Sequence, residues 1–597
     1  MNLPLKLARP LLLTFVLTCV SAAHFLARAH KQSVRNQPQN ITRDVAVPMR
    51  DGSVLRADVL LPSASGRFPA LVYRTPYGKE PALKEYKTFR KAVDRGYAVI
   101  IQDVRGRYAS DGEFVAYRNE GHDGYDTIEW TAKQPWCDGN VGTFGLSYPG
   151  AVQWLAAVEN PTHLKAMVPA MTFSTPRNFF YSGGVFDLSW LDWIWLNIAP
   201  DIRKRKNLAG PKTYDEARQS WERNHERLQN FLPLRDLAEL KEVTPFYYEW
   251  LSHPPADSWW DWAELRNKYE RVHAAVLNLS GWYDEAYGPD GATTNFNGIW
   301  SERHGQRDHR TRTIIGPWTH GGQEETRAGE RDFGPTAAID YDELILRWMD
   351  HYVRGIDNGI EGEKPVRLFV MGENAWRDEE AWPLARARMT TYYLRSESNS
   401  ARFARLNASP SDQTVSYSQI LSDPMHPLTD PYTAYGAHDY RASAGRKDVV
   451  VFDTDPLPTD REVTGPIHAE IYVSADVPDF DLWVRLLDIG PDGTVFNLMS
   501  PGLDVLRASY RGEKVKPELL NSGETYRLDL NRMLTSNVFR KGHRIRVQIS
   551  GAFSPHFSRN PQTGESEVTS SAARVSHLRV HHDSEHGSRI ILPVIPK

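Results

Sequence analysis

The chain has 597 residues, room for three or four structural units at roughly 100 to 200 residues each, which excludes a single small binding module. Hydrophobic residues make up 41% and charged residues 24%, with 18 Trp, 26 Tyr and 22 Phe, enough apolar area for several cores and too much for an extended disordered chain. A formal net charge of −4 supplies no basic field for phosphates and argues against nucleic acid as a partner.

At the amino terminus Lys6 and Arg9 precede an apolar stretch over residues 10–23, and Val20 and Ala22 offer small side chains for a signal peptidase. This pattern predicts a cleaved secretory leader over residues 1–22, because the stretch falls short of the ~20 residues a spanning helix needs. The expectation is an exported protein, periplasmic or extracellular, with no stable membrane span after leader removal. Cys19 follows Thr18, not a small residue, so lipid attachment there is not expected. Cys19 and Cys137 are the two cysteines, and the mature fold should need no disulfide.

From about residue 40 to 172, buried strand-like runs at 71–73, 97–102 and 141–144 alternate with helix-like segments such as 123–133. Strands separated by helices predict a parallel sheet with crossovers, an α/β fold. Residues 173–267 change character. Eight of the 18 Trp fall there, at helical rather than alternating spacing. Each Trp taken singly reads as core, but a helical insertion between strands would lie over the strand ends and serve as a cap. The sheet pattern resumes over 268–360, with strand-like runs at 274–279 and 312–315 and a closing helix over 340–353. Beyond 361, period-two runs such as Ala469, Ile471 and Val473, or Leu482, Val484 and Leu486, predict an antiparallel β-sandwich or jelly roll to residue 597. No long linker separates the large parts, so they should pack closely.

The sharpest chemical signal is Gly142-Thr-Phe-Gly-Leu-Ser-Tyr-Pro-Gly150, with a strand before it and a helix after it, the pattern of a nucleophile elbow. Gly145 leaves room in a crowded turn, and Ser147 sits where a helix N-terminus favours developing negative charge. Pro149 departs from the strict pattern but is tolerated in a first helical turn. A serine nucleophile needs a base, and the base an orienting acid. In the order serine, acid, histidine, Asp284 follows the strand-like run 274–279 and His320 follows 312–315. Asp290 is the competing acid. The second oxyanion donor is harder to read: the Tyr148 backbone N–H follows the nucleophile, and Tyr77 ends a strand in a Pro-containing loop, where a packed aromatic and a hydroxyl donor look alike.

Taken jointly, Arg74-Thr-Pro-Tyr-Gly-Lys79, Gln102-Asp-Val-Arg-Gly-Arg107, Ser110-Asp-Gly-Glu-Phe114, Trp136-Cys-Asp-Gly-Asn-Val-Gly142, Gly145-Leu-Ser-Tyr-Pro-Gly150, Gly281-Trp-Tyr-Asp284 and Gly316-Pro-Trp-Thr-His320 carry a resemblance to the CocE/NonD hydrolases. That family is related to Xaa-Pro dipeptidyl-peptidases and α-amino-acid ester hydrolases. The similarity extends past residue 40 to Asp479-Phe-Asp-Leu-Trp-Val484 and Pro491-Asp-Gly493. The resemblance implies an α/β-hydrolase domain with an inserted helical cap and a carboxy-terminal jelly roll. It also implies Ser147 as nucleophile, His320 as base, Asp284 as orienting acid, and the Tyr77 hydroxyl with the Tyr148 N–H as oxyanion hole.

The amino-acid ester hydrolases place a carboxylate cluster after the catalytic aspartate, where this chain has Ala286 and Tyr287, so an amino-ester activity of that type is not expected. Glu285 reads as a solvated loop charge. His577, His581, His582 and His586 form a tract without a convincing ligand set and read as a solvent-facing strand and loop, so neither metal nor cofactor is expected. The function expected is an exported serine hydrolase of small-molecule esters or amides, its oligomeric state open and a homo-oligomer compatible. Two alternatives stand beside it: an Xaa-Pro dipeptidyl-peptidase, favoured if Asp187 or Asp192 supplies a carboxylate at the pocket mouth, and a binding protein with a vestigial hydrolase domain.

Overall fold

A computed structural model of the protein describes residues 40–285, 288–304, 308–396, 403–512 and 516–596. The expected leader, with Cys19, lies outside the described residues, as do Ala286 and Tyr287. No helix among the described residues is long and apolar enough to cross a membrane.

Ten strands form the first sheet: β1 (Ile41–Pro48), β2 (Val54–Leu60), β3 (Phe68–Thr75), β4 (Ala98–Asp103), β5 (Cys137–Leu146), β6 (Leu164–Ala170), β7 (Ala275–Tyr283), β8 (Thr311–Thr319), β9 (Val366–Val370) and β10 (Ala375–Glu379). Their spatial order is β1-β2-β4-β3-β5-β6-β7-β8-β9-β10. The run from β4 to β9 is parallel, and antiparallel strands close both edges. Parallel strands are covered on both faces and read as continuous apolar runs. Accordingly β4 and β7 are buried along their whole length. The strands are longer than the apolar runs suggested because β7 and β8 continue through Ser280-Gly-Trp-Tyr283 and Gly316-Pro-Trp-Thr319. Gly281 permits this pairing, since a Cβ there would lie 2.1 Å from the Trp318 carbonyl oxygen.

The first sheet runs on past the expected boundary at residue 360 into β9 and β10. Those strands form a tight hairpin of five residues each, and short alternating runs there look like the start of the all-β region that follows. Between β6 and β7 the chain is mainly helical, with Ser189–Trp193, Ala199–Lys206, Tyr214–Gln229 and Phe246–Ser252 as its α-helices and a π-helical turn over Ile194–Ile198. Its aromatics pack as a core: Phe180 meets Trp250 at 4.4 Å and Trp260 at 4.9 Å between ring centroids, and Phe179 meets Trp190 at 4.6 Å.

Beyond β10 the protein is all-β. Twelve strands among the described residues join in one hydrogen-bonded network, built around the antiparallel pair Arg461–Ala475 and Thr525–Phe539. Alternation along Asp481–Ile489 does not mark an outward face, because every residue but the last is buried. Arg485 there is sandwiched 4.2 Å from both the Tyr440 and Phe553 rings. The histidine tract also departs from expectation, since His582 is fully buried between the Ser416 and Ser418 hydroxyls, at 2.7 and 3.1 Å. Burial pushes its imidazole down to about 4.

Candidate active site

Because β5, β7 and β8 run parallel, Ser147, Asp284 and His320 leave the sheet at one edge, each one residue past its strand. Register sets their separation. Thr319 pairs with Tyr283, which puts the next two residues, His320 and Asp284, side by side. His320 Nδ1 lies 2.7 Å from Asp284 Oδ1. The other carboxylate oxygen lies 3.0 Å from the hydroxyl of Ser280, itself on β7. Asp284 is only 1% exposed. Burial raises its pKa, and His320 and Ser280 oppose the rise. Burial likewise works against a charged His320, but the Asp284 carboxylate and Glu285 outweigh it and hold the imidazole above its ordinary value.

Ser147 occupies the turn between β5 and the helix Tyr148–Ala157, with φ 68° and ψ −127°. A non-glycine residue at positive φ is strained and persists where surroundings over-determine it. Here the Ser147 N–H donates to the Ala170 carbonyl on β6 at 3.0 Å, and the Ser147 carbonyl accepts from Gly150 and Ala151 at 2.8 and 2.9 Å. Two glycines make the turn fit. Gly145 has φ 144° and would put a Cβ 2.5 Å from Pro149, while a Cβ on Gly150 would lie 2.6 Å from the Ala170 carbonyl oxygen. Tyr148 is the first helical residue, a position whose N–H has no partner within the helix.

Tyr77 follows β3, and its hydroxyl senses the neighbouring Ser147 side chain. It also accepts from Trp193 Nε1 at 3.0 Å, which leaves the phenolic proton for a substrate-side acceptor. Burial raises the Tyr77 pKa and keeps the hydroxyl protonated as a donor. The fully buried Arg107 ties this loop to the helical segment, donating to the carbonyls of Pro76, Ile198 and Asn197 at 2.8, 2.7 and 2.9 Å. The Tyr148 side chain is fully buried. Its hydroxyl donates to Glu120 at 2.7 Å, Glu120 pairs with Arg74 at 2.8 Å, and the ring stacks on Tyr117 at 4.1 Å.

Asp290, the competing acid, is engaged elsewhere: it accepts from Asn178 at 3.4 Å and lies 3.6 Å from Arg532 on the strand Thr525–Phe539. Glu285 is not a solvated loop charge. It is half-buried, and its Oε2 accepts the backbone N–H of His320 at 3.0 Å. Asp187 is buried and Asp192 half-buried; burial lifts Asp187 to about 6, and burial with the nearby charges of Asp187 and Glu285 lifts Asp192 to about 7. Ser280, Trp193, Arg107 and Glu285 went unread as site residues. Arg107 and Ser280 adjoin informative motifs, but nothing in spacing reveals what a side chain meets across the fold.

Residues 51–322 match the family described as X-Pro dipeptidyl-peptidase (S15 family), and residues 358–591 match the X-Pro dipeptidyl-peptidase C-terminal non-catalytic domain. The chain is 32% identical to the cocaine esterase of a Rhodococcus species over 94% of this chain and 99% of that one. Its fold is shared with a solved α-amino acid ester hydrolase (TM-score 0.78, 22% identity, 95% and 99% of the two chains) and with an aminopeptidase from a marine-sediment Thaumarchaeota archaeon (TM-score 0.78, 21% identity, 95% and 98%). An α/β-hydrolase-like sheet bearing a strained serine and a His–Asp pair at one edge, a C-terminal all-β domain and full-length similarity to an esterase lead to one conclusion: the chain belongs to the CocE/NonD hydrolases and is a serine hydrolase.

Proposed function

We propose that the protein hydrolyses carboxylic esters or amides through an acyl-enzyme on Ser147. The observation that carries this reading is the His320–Asp284 contact at 2.7 Å, formed at the same strand ends where β5 gives way to the strained turn at Ser147. Asp284 accepts a hydrogen bond from Nδ1–H and so fixes the tautomer in which Nε2 is the base. Ser147 loses its proton to His320 as its Oγ attacks the carbonyl. The developing oxyanion takes hydrogen bonds from the Tyr77 hydroxyl and the Tyr148 N–H, at the positive end of a helix. His320 returns the proton to the leaving alcohol or amine, and water repeats the sequence to free the acid. In this reading the helical segment is a cap over the site, the all-β region a jelly roll, and residues 1–22 a leader for export.

An Xaa-Pro dipeptidyl-peptidase is the second reading, and Asp192 favours it. Its neighbour Trp193 holds Tyr77, and Asp192 feels the charge of Glu285, so a substrate ammonium has a carboxylate close to the reacting groups. Turnover of the mature chain on an aryl acyl ester and on an Ala-Pro anilide separates the two readings. Ester turnover alone supports the first, and efficient anilide cleavage moves the protein to the second. Ser147→Ala should abolish fluorophosphonate labelling, and a labelled variant would sink the assignment of Ser147.

A further inference from the structure

Glu285 stands directly after Asp284, yet its side chain is turned to the other strand end. Its carboxylate closes a short bridge: Asp284 holds the His320 ring and Glu285 holds the His320 backbone, so two consecutive acids on one loop grip the same residue at both ends. We infer that Glu285 is a positioning residue of the hydrolytic site, anchoring the loop that carries His320 and placing a second carboxylate beside the imidazole. The inference rests on the proposed roles of Ser147 and His320.

Two physical effects follow from this placement. Accepting the His320 N–H fixes where the ring begins, and small errors in the position of a general base lower the rate steeply. A second negative charge near the ring favours the imidazolium that forms as Ser147 attacks. The groups facing His320 are Asp284 and Glu285. Those facing Glu285 are His320 and Asp284 from its own side, Asp192 from the helical segment and Tyr435 from the all-β region. Asp187 reaches both Tyr435 and Asp192, and Asp430 reaches Tyr435.

The test compares Glu285→Gln and Glu285→Ala with the unaltered protein on a neutral aryl ester across pH, alongside the pH dependence of fluorophosphonate inactivation. Gln keeps an oxygen for the His320 N–H and removes the charge. The acid limb of kcat/KM should move to lower pH by about 0.5 unit or more, with plateau kcat within about threefold. Ala loses the acceptor as well, and kcat should fall about tenfold with KM within about twofold. Gln is nearly isosteric, so it stays informative even if the Ala variant folds poorly. An unmoved acid limb in the Gln variant, while Ser147 is still labelled, overturns the role of Glu285 alone. Absence of Ser147 labelling in the unaltered protein overturns the hydrolytic assignment and this inference with it.

Discussion

Tyr77, in its proposed role as an oxyanion donor, shows how little of such a role lies in residue type alone. Its hydroxyl is useful because Trp193 occupies one side of the oxygen and Arg107 fixes the loop beneath it. Tyr77→Phe should lower kcat on esters by about 10²- to 10³-fold with little change in KM, the usual loss for one oxyanion donor, read by steady-state kinetics. Asp192 makes the opposite point about stability. Its carboxyl titrates near 7 in the folded protein against 3.8 for the free group, so the folded state binds more protons between those values. Stability contributed by this group is therefore lost as pH rises through that window. Asp192→Asn should raise Tm relative to the unaltered protein by an amount that grows from about pH 5 to pH 8. If Asp192 receives a substrate ammonium, the same variant should weaken KM for the Ala-Pro anilide while sparing the neutral ester. A Tm difference that stays flat with pH would remove Asp192 as the titrating group.

Among the elements, those around the serine were the most legible. A strand, a glycine two places before the serine and an apolar helix after it leave few other structures, and the chain order of acid and histidine followed from parallel strands ending at one edge. Glu285 escaped for a physical reason. Hydrophobic periodicity describes residues within a strand, but Glu285 stands beyond the end of β7, where direction depends on the neighbouring loop at His320. The pairing of β9 and β10 with the first sheet was not legible, because both carry the short alternating pattern of the all-β region. Tryptophan count alone marked the segment over 173–267 as unusual. Most of those rings are ordinary core, as their residue type suggests, while Trp193, just before the π-helical turn, donates its indole N–H to Tyr77.

Across the whole molecule, the residue before Asp284 is held by the other domain. The Tyr283 hydroxyl donates to the Asn497 carbonyl at 3.0 Å, and the Tyr283 carbonyl accepts from Ser500 at 2.6 Å. Tyr283→Phe should cost about 1 to 3 kcal/mol of stability, the penalty for an unsatisfied buried partner, and lower kcat more than it changes KM. Urea unfolding and ester kinetics check the two parts, and an unchanged kcat in a destabilised variant would confine Tyr283 to folding. The strand Thr525–Phe539 adds Arg532 beside Asp290 and pairs Ser536 with Met371 at the end of β9. These contacts bear on descent as well as on chemistry. A hydrolase sheet of this kind is not a free module: a recombination event that exchanged the all-β region for another would leave Tyr283 without its two partners. The two regions should therefore be inherited as a pair, and hybrids between distant relatives should regain activity only when the segment around 497–500 and the end of β7 come from the same parent.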